Sequence, residues 1–469
     1  MPVNSFDHYF MSWKPDAAKL SHPCYLSLAN QLEEAIVTGQ LTPGSRLPPQ
    51  RELADYLNLN FTTITRAYNL CREKKLIYGV TGRGSFVVPV IAAGVSFHSS
   101  AGNEHSRPVE MGIVNGFDTV RDSVIEATSS VLRKGYLDQL YSYAEPSGHL
   151  HQRAAGARWL AGMDVKTDSE HTAIFSGAQN VLSTALLALF KLGDRIATDE
   201  YTYSNLIGAA HLFHIQLLPV GGDKFGMCPE QLRKKCREKK IAGIFLMPNC
   251  ANPTTRTMSE ERKSALAEVI GEYGLILIED DNIGAVLASS GARYRSLFSR
   301  LSDQTVYIGG STMNLCSGLR VAFAAFPEAL CSRLLNGLYH LNIKTSSLDA
   351  EIMTELIISG KALQILKQKQ ALAQKANLLF DQIFPGRCEP APKGCFFRWL
   401  PLQNTAQDGM ELEQQLASRG VNVFHSYRFA VPKHQERQYL RVSISSAGTE
   451  DRLSKGLMIL NEFLQVHNM

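Results

Sequence analysis

Charged and glycine residues that could bind a ligand follow two predicted strands in the C-terminal part of the chain. The apolar run 276–278 ends in three carboxylates, Glu279, Asp280 and Asp281. An acid inside a cleft is unfavourable unless it has a partner, so we expect these carboxylates to have a binding partner. Gly177 follows the strand-like run 172–175 and opens a helix. Free backbone amides at a helix start suit a phosphate, although many such turns carry glycine for geometry alone.

The N-terminal residues 24–88 show three helical patterns followed by a predicted hairpin. Apolar residues recur at helical spacing, and Asn60 is suited to cap the third helix. That helix points four polar side chains outward, namely Thr62, Thr63, Thr65 and Arg66. A tight turn at 81–84 separates the two strands and carries the cation Arg83. Two short helices before a third with a polar outer face are typical of a helix-turn-helix, whose last helix enters the major groove.

The same segment resembles the GntR winged helix-turn-helix. Three blocks in the family's order carry the resemblance: Pro43-Gly44-x-x-Leu47-Pro48-x-x-Arg51-x-Leu53-Ala54, Thr63-Ile64-x-x-Ala67-Tyr68 and Gly82-x-Gly84-Ser85-Phe86-Val87. The resemblance implies that double-stranded operator DNA is a partner, contacted by Arg51, Thr63, Arg66, Arg83 and Gly84, with Thr62 and Thr65 on the same face. Phe61 stands where the family often has arginine, which is expected to shift sequence preference. The alternative is a generic three-helix domain in which Arg66 is only solvated.

The composition is that of a globular protein with more than one domain. Apolar residues make up 45% and charged residues 20% of the 469, and a net charge of only +4 requires any DNA-binding surface to be local. The nine cysteines are irregularly spaced, which favours reduced thiols and gives no zinc pattern. Neither a signal-peptide pattern nor a run of ~20 apolar residues is present. We therefore expect a cytoplasmic protein with no metal and no membrane partner.

Beyond residue 110, strand-like runs alternate with amphipathic helical stretches. The runs are 172–175, 195–198, 215–220, 241–247, 275–279, 305–309 and 321–326, with a last one at 440–444. Such alternation predicts a mostly parallel sheet covered by helices. The predicted organisation is multi-domain: a winged helix-turn-helix over 15–88, a linker over 89–110, a large α/β domain over 111–354 and a smaller α+β subdomain over 355–469.

Residues 110–469 resemble class I aminotransferases of fold type I. Segments in the family's order include Ser176-Gly177-Ala178-Gln179-Asn180, Asp199-Glu200-Tyr201-Thr202-Tyr203, Asn252-Pro253-Thr254, Glu279-Asp280-Asp281, Gly318-Leu319-Arg320 and Tyr439-Leu440-Arg441. The resemblance implies pyridoxal phosphate as cofactor, with Gly177, Ala178, Gln179 and Arg320 at its phosphate, Tyr203 on its ring, Asn252 at its phenolic oxygen and Asp280 at its pyridine nitrogen. Arg441 would hold a substrate or effector carboxylate, and Tyr143 would reach the phosphate of the partner subunit.

Three positions depart from the aminotransferase pattern. Thr255 replaces a glycine and Asn282 replaces a tyrosine. Met313, seven residues before Arg320, takes the place of the lysine that binds the cofactor aldehyde and shuttles protons. A thioether has no nucleophilic nitrogen and no titratable proton, so no catalytic residue is assigned. No nearby lysine obviously replaces the missing one, since Lys344 lies outside the loop.

The two resemblances together identify the chain as a member of the MocR-type regulators, in which a GntR domain precedes an aminotransferase-like domain. A homodimer is expected, because the aminotransferase fold builds each site from two subunits and two winged helices match paired half-sites. Three functions stay open. The leading one is a DNA-binding regulator that senses a small molecule without turnover. The second is a regulator that holds pyridoxal phosphate non-covalently, and the third is an active aminotransferase with an accessory DNA domain.

Met313 argues against the third function. Loss of a single general acid–base role lowers rates by about 10²- to 10⁴-fold, and the lysine carries further roles besides. The retained groups would accept pyridoxal phosphate alone or combined with an amino acid, so the effector is expected to be amino-acid-like or a pyridoxal phosphate adduct.

Overall fold

The chain divides into two compact units, Met1–Ser96 and Phe97–Met469. The computed structural model describes residues 11–37, 41, 45–73, 76–80, 84–87, 108–117, 120–289, 294–403, 408–431, 437–467 and 469. Within these residues, no helix is long and apolar enough to cross a membrane.

The first unit contains three helices and a hairpin, as the sequence predicts. They are α1 (Cys24–Val37), α2 (Gln50–Leu57), α3 (Phe61–Glu73), β1 (Ile77–Val80) and β2 (Gly84–Val87). The two strands are antiparallel, with Ile77 opposite Val87. The inward face of α3 is fully buried and comprises Ile64, Ala67, Tyr68 and Cys71. One detail differs from expectation: Pro49 caps α2 and does not lie in its first turn.

The second unit is built on a seven-stranded sheet in the order β4-β12-β11-β10-β9-β5-β6. These strands are β4 (Thr172–Phe175), β5 (Arg195–Asp199), β6 (Gln216–Val220), β9 (Gly243–Leu246), β10 (Ile276–Asp281), β11 (Thr305–Gly310) and β12 (Ala322–Ala325). Only β12 runs against its neighbours, so the prediction of a mostly parallel sheet is confirmed. Every residue of β4, β9, β11 and β12 is buried, as expected of strands covered on both faces.

Helices cover both faces of this sheet. They are α4 (Arg121–Val131), α5 (Leu137–Leu140), α6 (Leu150–Ala161), α7 (Ala178–Leu189), α8 (Ser204–Leu212), α9 (Pro229–Glu238), α10 (Glu260–Glu272), α11 (Gly284–Ala288), α12 (Glu328–Asn342) and α13 (Ser347–Ile358). A small hairpin, β7 (Gly222–Asp223) and β8 (Gly226–Met227), extends the edge near β6. The sheet with its two apolar faces is the rigid support from which the functional loops project.

The C-terminal subdomain has a three-stranded antiparallel sheet, in the order β13-β16-β15, packed with helices. Its elements are α14 (Lys361–Ile383), β13 (Phe397–Pro401), α15 (Gly409–Ser418), β14 (Val421–Asn422), β15 (Phe424–His425), β16 (Tyr439–Ser443) and α16 (Glu450–Val466). A short strand before the large domain, β3 (Val109–Glu110), pairs with β14.

Two predicted boundaries differ from the observed elements. Residues 109–110, assigned to the linker, are a strand whose Val109 is buried against the C-terminal subdomain. The expected division after residue 354 falls inside α13, and the buried residues of the next helix, α14 (Lys361–Ile383), are divided between the core of the large domain and that of the C-terminal part. Both differences arise because pairing partners far away in sequence decide where an element belongs.

The carboxyl ends of β4, β5, β9, β10 and β11 lie at one edge of the large sheet. The pairings of β5, β9, β10 and β11 are parallel, and β4 joins them through the reversed strand β12. Ligands of open α/β sheets bind at this edge, in the loops that follow the strands. Except for Tyr143, the residues predicted to contact the cofactor lie at or after the carboxyl ends of these strands.

Candidate functional site

An anion pocket forms where Arg320 meets the start of α7. A side chain at Gly177, whose φ is +88°, would place its Cβ 2.5 Å from the Arg320 guanidinium. The same guanidinium donates a hydrogen bond to Thr312 Oγ1 at 3.3 Å. Glycine is therefore required here, and the guanidinium lies beside the free amides at the N-terminus of α7, which Ala178 opens. A cation next to helix-terminal amides suits a phosphate.

Asp280 has one free carboxylate oxygen in a buried position. Its side chain is 2% exposed, and Oδ2 accepts a hydrogen bond from the Asn282 amide at 3.0 Å. Oδ1 has no hydrogen-bond partner among the described residues. Burial, then the charge of Asp281, raises the pKa of Asp280 to about 7, while the Asn282 hydrogen bond opposes that rise. A cationic N–H donor, such as a protonated pyridine nitrogen, would satisfy this oxygen.

The two flanking carboxylates are engaged inside the fold. Glu279 accepts hydrogen bonds from the backbone amides of Leu297 and Phe298, at 2.9 and 2.7 Å. Asp281 accepts from the hydroxyls of Tyr294 and Tyr307. Because alternate strand residues face opposite sides of a sheet, Asp280 is turned away from both. Asp280, the position that matched the aminotransferase pattern, therefore faces away from these two hydrogen-bond networks, although Asp281 Oδ1 is also buried without a partner among the described residues.

Tyr203 lies between this carboxylate and two arginines. Burial, and then the Asp280 charge, raises the pKa of Tyr203 to about 12, whereas the charges of Arg441 and Arg320 act in the opposite direction. The phenol oxygen accepts a hydrogen bond from the Asn205 amide at 3.0 Å. The charges of Asp280, Arg441 and Arg320 all act on the Tyr203 phenol, so four residues predicted from separate segments lie close together.

Arg441 is a buried guanidinium without a carboxylate partner among the described residues. It is 4% exposed and donates to Asn252 Oδ1 at 3.1 Å and to the Gly112 carbonyl. Its carbon lies 4.7 Å from the ring centre of Phe429, and its Nε has no described partner. Burial lowers the pKa of Arg441 to about 9, so it stays charged at neutral pH at a desolvation cost. A bound carboxylate would offset that cost.

The loop after β11 is held by a lysine that the sequence did not point to. Lys369, 2% exposed on α14, donates from Nζ to the carbonyls of Met313 and Leu315, at 2.9 and 2.8 Å. The Asn314 amide fixes the same loop by donating to the carbonyls of Gly310 and Asn282. Lys369 therefore lies close to Met313 in space, and its ammonium is bonded to backbone oxygens.

Tyr143, Lys344 and Gln179 differ in their exposure and contacts. Tyr143, which the resemblance assigns to the phosphate of the partner subunit, is 86% exposed in the single chain. Lys344 donates to Ser347 Oγ and so is engaged locally. Gln179 lies at the start of α7, and its Oε1 is buried with no partner among the described residues.

The outer face of α3 carries the predicted DNA contacts of the first unit. Asn60 caps the helix by accepting from the Thr62 backbone amide at 2.9 Å. Arg66 and Arg51 are exposed, and the Arg66 guanidinium lies 5.4 Å from the ring centre of Tyr25. Thr65 differs from expectation, since its hydroxyl hydrogen-bonds Gln50 at 2.8 Å and ties α3 to α2.

One arginine beside the hairpin, Arg46, was not predicted from the sequence. Gly84 has φ +113°, and a Cβ there would meet the Arg46 guanidinium at 3.2 Å. Arg46 is exposed and its backbone bridges to Phe86. Arg83 lies outside the described residues. Phe61, the first residue of α3, is 46% exposed, so the departure from the GntR pattern leaves an aromatic ring on the outer face.

Comparison with known families decides the architecture. Residues 24–87 match the bacterial regulatory proteins of the gntR family, and residues 115–460 match aminotransferase class I and II. The HTH-type transcriptional regulator YdeF of Bacillus subtilis (strain 168) is 32% identical over 464 residues, which is 99% of each chain. The chain belongs to the MocR-type regulators of the GntR family.

Two further proteins are similar to this MocR-type regulator, one a transcriptional repressor and the other an enzyme. The vitamin B6 salvage pathway transcriptional repressor PtsJ of Salmonella typhimurium is 26% identical over 305 residues, covering 65% of this chain and 68% of PtsJ. The kynurenine aminotransferase of Pyrococcus horikoshii superposes with a TM-score of 0.70 over 78% of this chain and 93% of its own, at 18% identity. The structural likeness shows the fold type I architecture, which confirms the predicted fold class.

Thr255 occupies a conformation that explains the glycine of the family pattern. It has φ +61°, is 6% exposed, and donates from its hydroxyl to the Thr254 carbonyl. A β-branched residue in the left-handed region is strained by roughly 1–2 kcal/mol. The turn that presents Asn252 therefore carries strain in this regulator.

Relieving this strain is expected to stabilise the protein. A Thr255→Gly variant should raise the free energy of unfolding by roughly 0.5–1 kcal/mol, because the strain removed exceeds the backbone entropy that glycine adds. Urea unfolding measures the difference. Thr254→Gly is the matched control: φ of Thr254 is not positive, so the same change there should destabilise. A loss of stability in Thr255→Gly equal to that of the control would contradict the strain.

Proposed function

We propose that this protein is a transcriptional regulator that binds paired operator half-sites and responds to a pyridoxal phosphate-type ligand held without a covalent bond. The ligand is pyridoxal phosphate, alone or combined with an amino acid whose carboxylate Arg441 holds. The acting form is a homodimer in the cytoplasm, in which Tyr143 of each chain serves the partner's pocket.

The observation that carries the proposal is a set of three buried polar atoms without partners among the described residues, all on residues that the resemblance assigns to the cofactor or its substrate. They are Asp280 Oδ1, Arg441 Nε and Gln179 Oε1. Buried polar groups without hydrogen bonds cost about 1–3 kcal/mol each, and charged groups more. A ligand with a ring nitrogen, a phosphate and a carboxylate would satisfy the carboxylate, the helix start and the guanidinium together.

The donor set fits pyridoxal phosphate, although no lysine is positioned to bind its aldehyde. When bound, the cofactor would supply an electron-accepting ring whose protonated nitrogen pairs with Asp280. Arg320 and the α7 amides would bind the phosphate, and the Tyr203 ring would lie against the pyridine. Met313 packs against the apolar core of the large domain, and its thioether neither attacks a carbonyl nor moves a proton. The pocket therefore supports binding and not turnover.

The similarity to the vitamin B6 salvage repressor PtsJ adds weight to a regulatory role. The enzyme alternative is favoured by the retained Asp280 and Arg441 and by the aminotransferase fold. Met313 in place of the lysine supports the regulator over the enzyme.

Ligand-induced stabilisation tests whether the pocket binds the cofactor. Pyridoxal phosphate, with or without an amino acid, is expected to raise the melting temperature, because a ligand at 100 times its Kd stabilises the folded state by about 2.7 kcal/mol. The shift should shrink strongly in Arg320→Ala and Asp280→Asn, which remove the phosphate and ring-nitrogen contacts.

Arg233→Ala is the matched control for loss of a guanidinium. Arg233 pairs with Glu272 on the surface, far from the contacts described above, so its ligand-induced shift should equal that of the native chain. If pyridoxal phosphate, pyridoxamine phosphate and their mixtures with amino acids all leave the melting temperature unchanged, the proposed ligand is wrong.

A further inference from the structure

Cys250, in the loop after β9, and Cys395, just before β13, form a pair of buried thiols within one apolar core. The Sγ atoms are 2.9 Å apart, and the residues are 2% and 0% exposed. A disulfide bond is ~2.05 Å long, so the two sulfurs need to approach by only about 1 Å to bond. The residues are 145 positions apart in sequence, and the fold alone brings them together.

The backbone at both cysteines is held by nearby contacts. The Cys250 amide donates to Thr257 Oγ1 at 3.1 Å, and the Cys395 carbonyl accepts from the Asn377 amide at 2.9 Å. The Cys395 thiol also lies 3.0 Å from the Phe397 carbonyl. These contacts hold both residues where their sulfurs are adjacent.

The pair connects the two halves of the pocket described above. Cys250 lies two residues before Asn252, and Cys395 lies two residues before β13, the strand that pairs with β16. Arg441 on β16 hydrogen-bonds Asn252 at 3.1 Å. A covalent link between the cysteines would hold this contact and prevent the subdomain from moving away from the turn.

We propose that Cys250 and Cys395 are an oxidation site whose disulfide locks the C-terminal subdomain onto the large domain. The oxidant is a small peroxide. One sulfur attacks the peroxide oxygen, becomes a sulfenic acid and releases one water. The second thiol then attacks that sulfur, loses its proton to the departing hydroxide and releases a second water. Two thiols thus give up two electrons and two protons, and one peroxide becomes two water molecules.

Burial sets the rate of this reaction. Desolvation, together with the neighbouring thiol, raises the pKa of Cys250 well above its ordinary range, and the thiolate is the reactive form. The pair is therefore expected to oxidise more slowly than half-buried thiols such as Cys228. Once formed, the bond is equally protected, so reductants should reverse it slowly.

Peptide mapping of the full-length protein tests the proposal. After hydrogen peroxide treatment, alkylation of free thiols under denaturing conditions and proteolysis, the expected result is one disulfide-linked peptide that joins Cys250 to Cys395. Cys388→Ser, which removes a different thiol of the same subdomain, should still give this peptide. Cys250→Ser and Cys395→Ser should not.

Urea unfolding provides a second measurement. Oxidation should raise the unfolding midpoint of the native chain and of Cys388→Ser, because the crosslink closes a long loop, and should leave Cys250→Ser unchanged. The proposal is overturned if peroxide oxidises other thiols while 250 and 395 remain alkylatable, or if either cysteine pairs elsewhere. The native-chain map decides this even if a serine variant fails to fold, and it does not depend on whether the pocket binds a cofactor.

Discussion

A Met313→Lys variant mixed with pyridoxal phosphate is expected to gain visible absorbance and to retain a pyridoxyl label within residues 305–320 after borohydride reduction. The native chain should show neither. The substitution restores an amine seven residues before Arg320, in a loop that Asn314 and Lys369 already hold. The Lys369 ammonium, 2.9 Å from the Met313 carbonyl, should lower the pKa of the introduced amine and keep more of it in the reactive neutral form.

Two variants separate the causes of such a label. Met313→Ala keeps the loop without an amine and should remain unlabelled. Met313→Lys combined with Asp280→Asn should label less, because the ring nitrogen loses its partner. A label on Lys369 of the native chain would show that this lysine reaches the aldehyde, and the claim of purely non-covalent binding would fail. Transamination by the native chain at about 1–10³ per second, the range of ordinary enzymes, would have the same consequence.

Operator binding is expected to fall by about 10- to 100-fold when Arg66 is replaced by alanine. Arg66 is exposed on the outer face of α3, and loss of a side chain that contacts a base edge costs roughly 1–3 kcal/mol. Arg51→Ala should weaken binding to all sequences about equally and reduce the salt dependence, since it is expected to contact a phosphate. Gel shifts with a sequence selected from a random duplex pool, at several salt concentrations, measure both effects.

Two control variants accompany the DNA-binding prediction. Arg233→Ala changes the second unit and should leave DNA affinity unchanged. Thr65→Ala removes a hydroxyl that bonds Gln50, so it should lower stability of the first unit more than it changes sequence preference. If Arg51→Ala and Arg66→Ala both bind the selected duplex as tightly as the native chain, the exposed surface formed by α2 and α3 is not the DNA-binding surface.

Local sequence was sufficient for the elements and for the positions of the pocket residues. Apolar runs and turn residues predicted each strand of the large sheet to within a few positions, because alternation and burial act over short stretches. The resemblance to aminotransferases located Asp280, Tyr203, Asn252 and Arg441 in the loops or strands where they are found. Parallel strands necessarily bring such loops to one edge, so their convergence was a consequence of the predicted fold class.

Contacts between residues far apart in sequence were decided only by the tertiary structure. Lys369 lies in an apolar stripe of α14 with Ile365, Leu366 and Ala373, a pattern that could have marked it as buried but not named the Met313 loop as its partner. The hydrogen-bond partners of Glu279, Asp280 and Asp281 depend on which amides and side chains the neighbouring strand and loops present.

The same holds for the thiol pair, since Cys250 and Cys395 were indistinguishable from the other cysteines in the sequence. Periodicity specifies which face of an element is buried, whereas the partner on that face is set by strand order and by how the subdomain packs. The local sequence therefore determined which chemical groups are available at each position. The tertiary fold brought those positions together into a ligand site and a thiol pair.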